Sequence, residues 1–257
     1  MLNNIQSFVI VFITVMMSVV FMVGLNRLWE REKRRSHNDL IGWQFSILGT
    51  TYAVILGFML YTVWTDFGSA DLNADAEANA LVNVYRLAEG LPQQQRVQLE
   101  TLTNRYAAVV IDKEWPEMAQ NKIPHESQEI SADMWKTLMS VKAASPTETT
   151  AEDHAITELS SLTSHRRTRI LQSAARLPAI LWCVLIIGGS VTVASASMFG
   201  SANVSLHAIQ VIAFSLLISL VMVAIADINR PFQGSVRVTS YSFLRAQQDM
   251  SDHDESH

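Results

Sequence analysis

Apolar residues along the chain gather in four long blocks, Ile5–Leu25, Ile41–Trp64, Leu177–Phe199 and Val204–Ala226, each free of Asp, Glu, Lys and Arg. Crossing a bilayer core as a helix takes about 20 apolar residues, and a charge at its centre costs about 2.5 kcal/mol or more. Length and absent charge together predict four transmembrane helices. The first block has no basic stretch ahead of it, exceeds the length of a signal core and runs into the charged "GLNRLWEREKRR". It is therefore expected to be a retained anchor.

Between the second and third blocks the pattern changes to a polar helical one. Phe67, Ala74, Ala78, Leu81, Tyr85 and Ala88 fall at three-four spacing, with Asp71 the one polar intruder. No breaker precedes "EGLP", so one helix is expected from about Gly42 to Glu89, roughly 70 Å at 1.5 Å per residue. Gly90 stops it, and Pro92 suits the first turn of the next. That helix carries Leu99, Leu102, Tyr106 and Val109 and fades near "EWPEM". A loop at Asn121–Pro124 and a helix with Ile130, Met134, Leu138 and Val141 follow. "AASPTETTAED" reads as a turn, with Ser145 or Thr147 as cap of a last helix running to Arg176. No alternation of period two is long enough for a strand.

The expected fold class is thus an all-α integral membrane protein with a helical insert between the second and third spans. Residues 1–64 hold the first two spans, 65–176 a soluble helical bundle, 177–229 the last two spans, and 230–257 a short tail.

Composition narrows the chemistry. The chain has 257 residues, a net charge of −5 and one cysteine, Cys183, which excludes an intrachain disulfide and a cysteine-built metal site. Basic residues cluster locally beside the apolar blocks, leaving no nucleic-acid footprint. Seven histidines occur without metal-binding spacing. In the tail "DHDESH", His253 and His257 are a loose pair, read as solvated disorder before a metal site. His165, among arginines, reads as a surface residue near the headgroups. His207 reads as an interfacial hydrogen-bonding residue. Neither a phosphate-cradling glycine loop nor a serine elbow is present. No enzyme, cofactor or metal is expected.

Two constellations remain. Asp66, Asp71, Asp75 and Glu77 crowd the point where the second apolar block ends. They make either an ordinary solvated helix face or, in several copies about an axis, an acidic ring at a pore mouth. Arg166, Arg167, Arg169 and Arg176 precede the third block and are expected to meet lipid phosphates or those carboxylates. In "GTTYAVILGFMLYTVW", Gly49–Trp64, the residues Thr50, Val54 and Phe58 stack on one face four apart, and Tyr61 and Thr65 roughly continue it. One copy of that face is ordinary helix packing. Several copies around an axis form a narrow constriction.

Three motifs favour the axis. "VILGFMLYTVWTDF" resembles the second transmembrane helix of bestrophins, "RLPAILW" their third span, and "DINRPFQG" their Asn-Pro-Phe-Gly signature after the fourth. "EANALVNVYRLAEGLP" and "EWPEM" resemble the bacterial bestrophin-like family. The resemblance spans about residues 41–240. It implies a ring, most simply a pentamer, that conducts small ions through a pore lined by the second span. Carried onto this sequence, it makes Thr50, Val54 and Phe58 the constriction, and Gly57, Trp64, Arg86, Pro178, Pro231 and Phe232 structural motif residues. The chain departs from the family in two places. Val54 and Thr50 are smaller or more polar than the family's neck residues. "PFQGSVRV" also lacks the acidic run that holds calcium in animal members, and oxygen ligation of calcium needs such groups.

The implied partners are further copies of the chain, the lipid bilayer and permeant ions, in a bacterial inner membrane. The resemblance places both termini and the insert in the cytoplasm. Flanking charge does not decide orientation, since Arg27, Arg31, Lys33, Arg34 and Arg35 oppose a similar number on the other side. The rival function is a membrane-anchored scaffold whose insert binds partners without conductance. A transporter fits less well, for lack of repeats and intramembrane charges.

Overall fold

The computed structural model describes residues 4–255. Its helices are α1 (Asn4–Leu28), α2 (Arg31–Arg35), α3 (Asn38–Ala88), α4 (Gln93–Val109), α5 (Trp115–Ala119), α6 (Glu126–Met139), α7 (Pro146–Ala174), α8 (Ala179–Ser197), α9 (Val204–Ile228) and α10 (Tyr241–Glu255). A π-helical turn, Val110–Glu114, joins α4 to α5. Among the described residues there is no strand. α1, α3, α8 and α9 are each long and apolar enough to cross a membrane. α3 is one uninterrupted helix of 51 residues, about 76 Å long at 1.5 Å per residue.

The chain divides into two compact units: residues 1–65 with 176–229, and residues 66–175 with 230–257. In the first, α1 packs mainly on α9, where the Ser18 hydroxyl donates to Ser215 Oγ at 3.0 Å. Its small core is Tyr52, Leu56 and Val63 of α3 against Leu185 of α8 and Ile218 and Ile225 of α9. The Tyr52 hydroxyl donates to the Leu185 carbonyl at 2.8 Å. The ring fits because Gly188 and Gly189 leave a notch; a Cβ on either would fall 2.8 Å from a Tyr52 atom. Sequence read His207 as interfacial, but it is buried with Nε2 3.1 Å from the Ala196 carbonyl, a helix-to-helix contact within the unit.

The second unit has a larger core. The alanine seam of α3 (Ala70, Ala74, Ala78) continues into Leu81 and Tyr85 and shares one core with residues of α4, α6, α7 and α10. Small side chains on that seam let helices approach closely. At Gly90 an added Cβ would fall 2.6 Å from Ala151 Cβ, so glycine there is a matter of space as well as helix ending. The helix after "EGLP" ends just past "EWPEM", at Ala119, and reaches it through a π turn. The wider π turn carries the chain on, so that Val110 and Trp115, five residues apart, both point inward. Asn121, at φ 63°, then ends α5. Ser145 caps α7 by accepting from Glu148 N at 3.2 Å, and α7 begins at Pro146, inside the segment read as a turn.

The tail differs most from expectation. It is a helix, α10, that buries Phe243, Ala246 and Met250 in the core of the second unit. Ahead of it the chain turns at Gly234, φ 87°, a conformation that favours glycine. Val238 N then donates to Pro231 O at 2.7 Å. His253 faces Glu89, Nε2 to Oε1 2.8 Å, and not a metal partner; His257 lies outside the described residues.

Candidate functional site

The segment of α3 in the first unit has two opposed faces. At 100° per residue, Tyr52, Leu56 and Val63 lie on one side, and Thr50, Val54, Phe58, Tyr61 and Thr65 on the other. The first set is buried. The second is exposed throughout, with Val54 at 53% and Phe58 at 64%. Trp43, Ile47 and Trp64 add to this exposed apolar surface. Thr62 and Thr65 return their hydroxyls to the Phe58 and Tyr61 carbonyls at 2.9 Å, so these hydroxyls are satisfied within the helix itself. Gly57 has nothing within 4 Å of a built Cβ and lies on the open side, beside Phe58. Among the described residues nothing covers this face.

The four carboxylates expected to share a face do not. In the second unit, Asp66, Asp71 and Asp75 are exposed, and Asp75 accepts from the Ser242 hydroxyl of α10. Glu77 is fully buried, so the pore-mouth role expected of it is corrected: seven residues after Ala70, it lies on the core seam. Asp71, expected as the intruder in that seam, points outward; Glu77 is the intruder.

Glu77 finds its counter-charge in Arg169 of α7. The guanidinium gives Nε to Oε2 at 2.7 Å and Nη2 to Oε1 at 3.0 Å. Arg169 Nη2 also reaches Glu114 Oε2 at 2.7 Å. Arg166 Nη2 reaches Glu114 Oε1 at 3.3 Å and its Nε donates to the Ser127 hydroxyl. Ser127 N donates to Glu114 Oε1 at 3.0 Å, and the Tyr106 hydroxyl to Glu77 Oε1 at 2.7 Å. Trp115 and Phe243 place their rings 5.2 and 5.9 Å from the Arg169 guanidinium carbon. The cluster therefore joins α3, α4, the π turn, α6 and α7 with two acids and two arginines in balance.

The electrostatics agree with that reading. Burial pushes the Glu114 carboxyl up, but Arg169, Ser127 and Arg166 together leave it below its ordinary value. Burial lowers Arg169, and Glu77 and Glu114 more than reverse this, so it stays charged. Burial, then the Glu77 charge, raises the Tyr106 phenol well above its usual range. Of the two partners expected for these arginines, lipid phosphates or the nearby carboxylates, Arg169 takes a carboxylate, Glu77, while Arg166 takes Glu114, and both are buried. They continue the buried stripe Ala155, Leu159, Leu162 at three-four spacing. Arg167 alone of the three points outward. His165, half-buried, pairs with Asn73 through Nδ1 and Oδ1 at 2.9 Å.

The motif residues fall in both units. Phe232 is buried edge-on against Trp115, 5.7 Å between ring centres, and Pro231 precedes it. Gln233 Nε2 donates to the Met118 carbonyl at 3.1 Å, and Trp115 Nε1 to the Val238 carbonyl at 3.2 Å. Arg86 is exposed beside Asn83, His154 and Glu158. In the first unit Pro178 precedes α8, and Leu177 N donates to Asn229 Oδ1 at 3.0 Å.

The bestrophin-like domain matches residues 12–243, most of the chain. The chain belongs to the bestrophin-like family. Solved structures agree in fold. A bacterial bestrophin homologue from Klebsiella pneumoniae, in a single-substitution variant, superposes with a TM-score of 0.74 at 12% identity, covering 97% of this chain and 99% of that one. A second variant gives 0.70 at 12% identity over 96% and 100%. A crystal structure described as a membrane protein gives 0.69 at 11% identity over 96% and 98%. No curated protein matches the sequence. The bestrophin-like assignment and the four apolar helices make this a membrane protein with the bestrophin-like all-helical fold.

Proposed function

We propose that this bestrophin-like protein is an oligomeric ion channel. Each subunit crosses the membrane four times, and small ions pass passively along an axis lined by α3. The observation that carries the reading is the exposed row Thr50, Val54 and Phe58, directly opposite the face that α3 buries in its own subunit. Four helices of one chain leave no hydrated path, so conduction requires several copies, five by the family resemblance. Phe58 is the widest side chain of the row and the first choice for the constriction, with Val54 and Thr50 beside it. Asp66, Asp71 and Asp75 are the carboxylates left to line a mouth; Glu77 is neutralised.

The tryptophans support the membrane placement. Trp29 and Trp43 lie at one end of the first unit, Trp64 and Trp182 at the other. Asn38 bonded to Gly200 and Val63 clustered with Trp182 fix which ends coincide. Trp43 and Trp64 are 21 residues apart, about 31 Å of helix, which matches a bilayer core bounded by aromatic belts. The termini and the 65–176 insert are assigned to the cytoplasmic side of a bacterial inner membrane, following the resemblance.

The test is potassium and chloride flux in liposomes, wild type beside Phe58→Ala. A larger flux in the variant supports a constriction at Phe58 and gives the sign of the ion. Folded protein that is no leakier than empty vesicles in either form overturns the channel reading in favour of a scaffold.

A further inference from the structure

At the end of the first unit marked by Trp29 and Trp43, α2 and the segment after α8 enclose a cleft of about 520 Å³. We propose that it binds the phosphoethanolamine headgroup of a membrane phospholipid. Arg31 and Arg35, one turn apart, line it together with Asn26, Ser201, Glu30 and Glu32. Guanidinium groups suit a phosphate diester, with charge-assisted hydrogen bonds in a planar fork. The two carboxylates would repel a purely anionic headgroup. They accept hydrogen bonds from a primary ammonium, which ethanolamine has and choline lacks. A headgroup with both charges therefore matches a wall with both charges.

The wall is built rather than incidental. Arg34, on the same short helix, is fully buried; it donates Nη1 to the Ser197 carbonyl at 3.3 Å and Nη2 to Asn26 Oδ1. With Oδ1 so engaged, Asn26 has its amide NH2 to offer a ligand, and that group donates. Arg34 Nε, buried, has no acceptor among the described residues. Asn38 clasps Gly200 in both directions at 2.9 Å. A Cβ at Gly200 would fall 2.4 Å from Arg35 N and 2.7 Å from the Arg31 carbonyl, so the loop lies flush on the helix that carries both arginines. Glu30 also touches Lys33 at 3.1 Å, but both are highly exposed and such a pair holds weakly.

This inference rests on the membrane placement above and not on conduction, so a protein that passes no ions can still satisfy it. The full-length protein in detergent is offered equal amounts of dioleoyl phosphatidylethanolamine, phosphatidylcholine and phosphatidylglycerol, and adducts are read by native mass spectrometry. Phosphatidylethanolamine is expected to be retained about tenfold over phosphatidylcholine, the ratio that one charge-assisted contact supplies. Arg31→Gln with Arg35→Gln should abolish retention of the lipid, and Glu30→Gln with Glu32→Gln should move the preference to phosphatidylglycerol. Equal retention of the ethanolamine and choline lipids, a wild-type preference for phosphatidylglycerol, or full retention by the arginine variant overturns the proposal. So does complete displacement of the lipid by millimolar inorganic phosphate, which would make this a free-phosphate site.

Discussion

Arg169 grips Glu77 through two nitrogens, at 2.7 and 3.0 Å, with both side chains wholly excluded from solvent. Such a pair specifies how α3 and α7 register more than it adds stability, because desolvation offsets much of the attraction. Removing one partner is different, since the other is left buried and charged. Arg169→Ala, which strands Glu77 and Glu114 together, should lower stability by about 3–5 kcal/mol in chemical or thermal denaturation. Arg167→Ala, on the exposed side of the same helix, should change it by less than about 0.5 kcal/mol.

The same cluster sets an acid limit. The Glu114 carboxyl titrates below its ordinary 4.5 in the fold, so the unfolded chain binds its proton first as pH falls. Its contribution is complete above 4.5 and is lost as pH drops through the lower folded value. Melting temperature followed from pH 7 to pH 3 should fall over the acid part of that range. Glu114→Gln should start lower at pH 7 and fall less steeply. Parallel curves for the two proteins would contradict the assignment.

These residues also mark where sequence reading stops. The long α3, the Ser145 cap and the Asn121 loop were legible because each depends on neighbours in the chain. That the arginines meet a carboxylate was one of two expected outcomes, but which acids they meet and that all are buried was not legible, because the partners lie 52 to 92 residues apart in sequence. A signal was nonetheless present. Arg166 and Arg169 extend the stripe Ala155, Leu159, Leu162 without a break, and Glu77 stands on the alanine seam of α3. Charged residues at core positions of two helices imply one another. The α10 helix was missed for a related reason: its acidic composition masked Phe243, Ala246 and Met250 at three-four spacing. For the Thr50–Val54–Phe58 face, the sequence showed which residues share a side of α3, and the structure adds that the opposite side is the one buried.

Docking of α10 is held by Phe243, which contacts the rings of Trp115 and Tyr106 with centroids 5.6 and 6.5 Å away. Phe243→Ala should cost about 3–5 kcal/mol. It should also raise hydrogen exchange across 241–255 before the rest of the second unit. Uniform exchange throughout that unit would mean that α10 has no separate opening.

Tyr52 and Gly189 should behave as a matched pair. Tyr52→Phe keeps the ring in its notch and loses one hydrogen bond, about 1 kcal/mol. Gly189→Ala drives a methyl to 2.8 Å from the phenol oxygen, so α3 and α8 must part. It should lower the melting temperature in detergent more than Tyr52→Phe does. Adding Tyr52→Phe to Gly189→Ala should recover part of the loss, because the clashing atom is then gone. Simple additivity of the two changes would count against the notch.

Leu56 and Phe58 offer the sharpest contrast, being two residues apart on opposite faces. Leu56 is 8% exposed and packs within its own subunit; Phe58 is 64% exposed. In lipid the transfer part of a truncation largely disappears, whereas the cavity part remains. Leu56→Ala should therefore cost about 2 kcal/mol in a detergent-melting assay. Phe58→Ala should leave the melting of a dissociated subunit within about 0.5 kcal/mol of wild type. Flux should reverse the order: Phe58→Ala raises it by widening the constriction, and Leu56→Ala leaves it near wild type in vesicles where the protein stays folded. If Phe58→Ala instead weakens assembly and leaves the flux of the remaining rings untouched, Phe58 is a subunit contact, and the constriction must be sought at Val54 or Thr50.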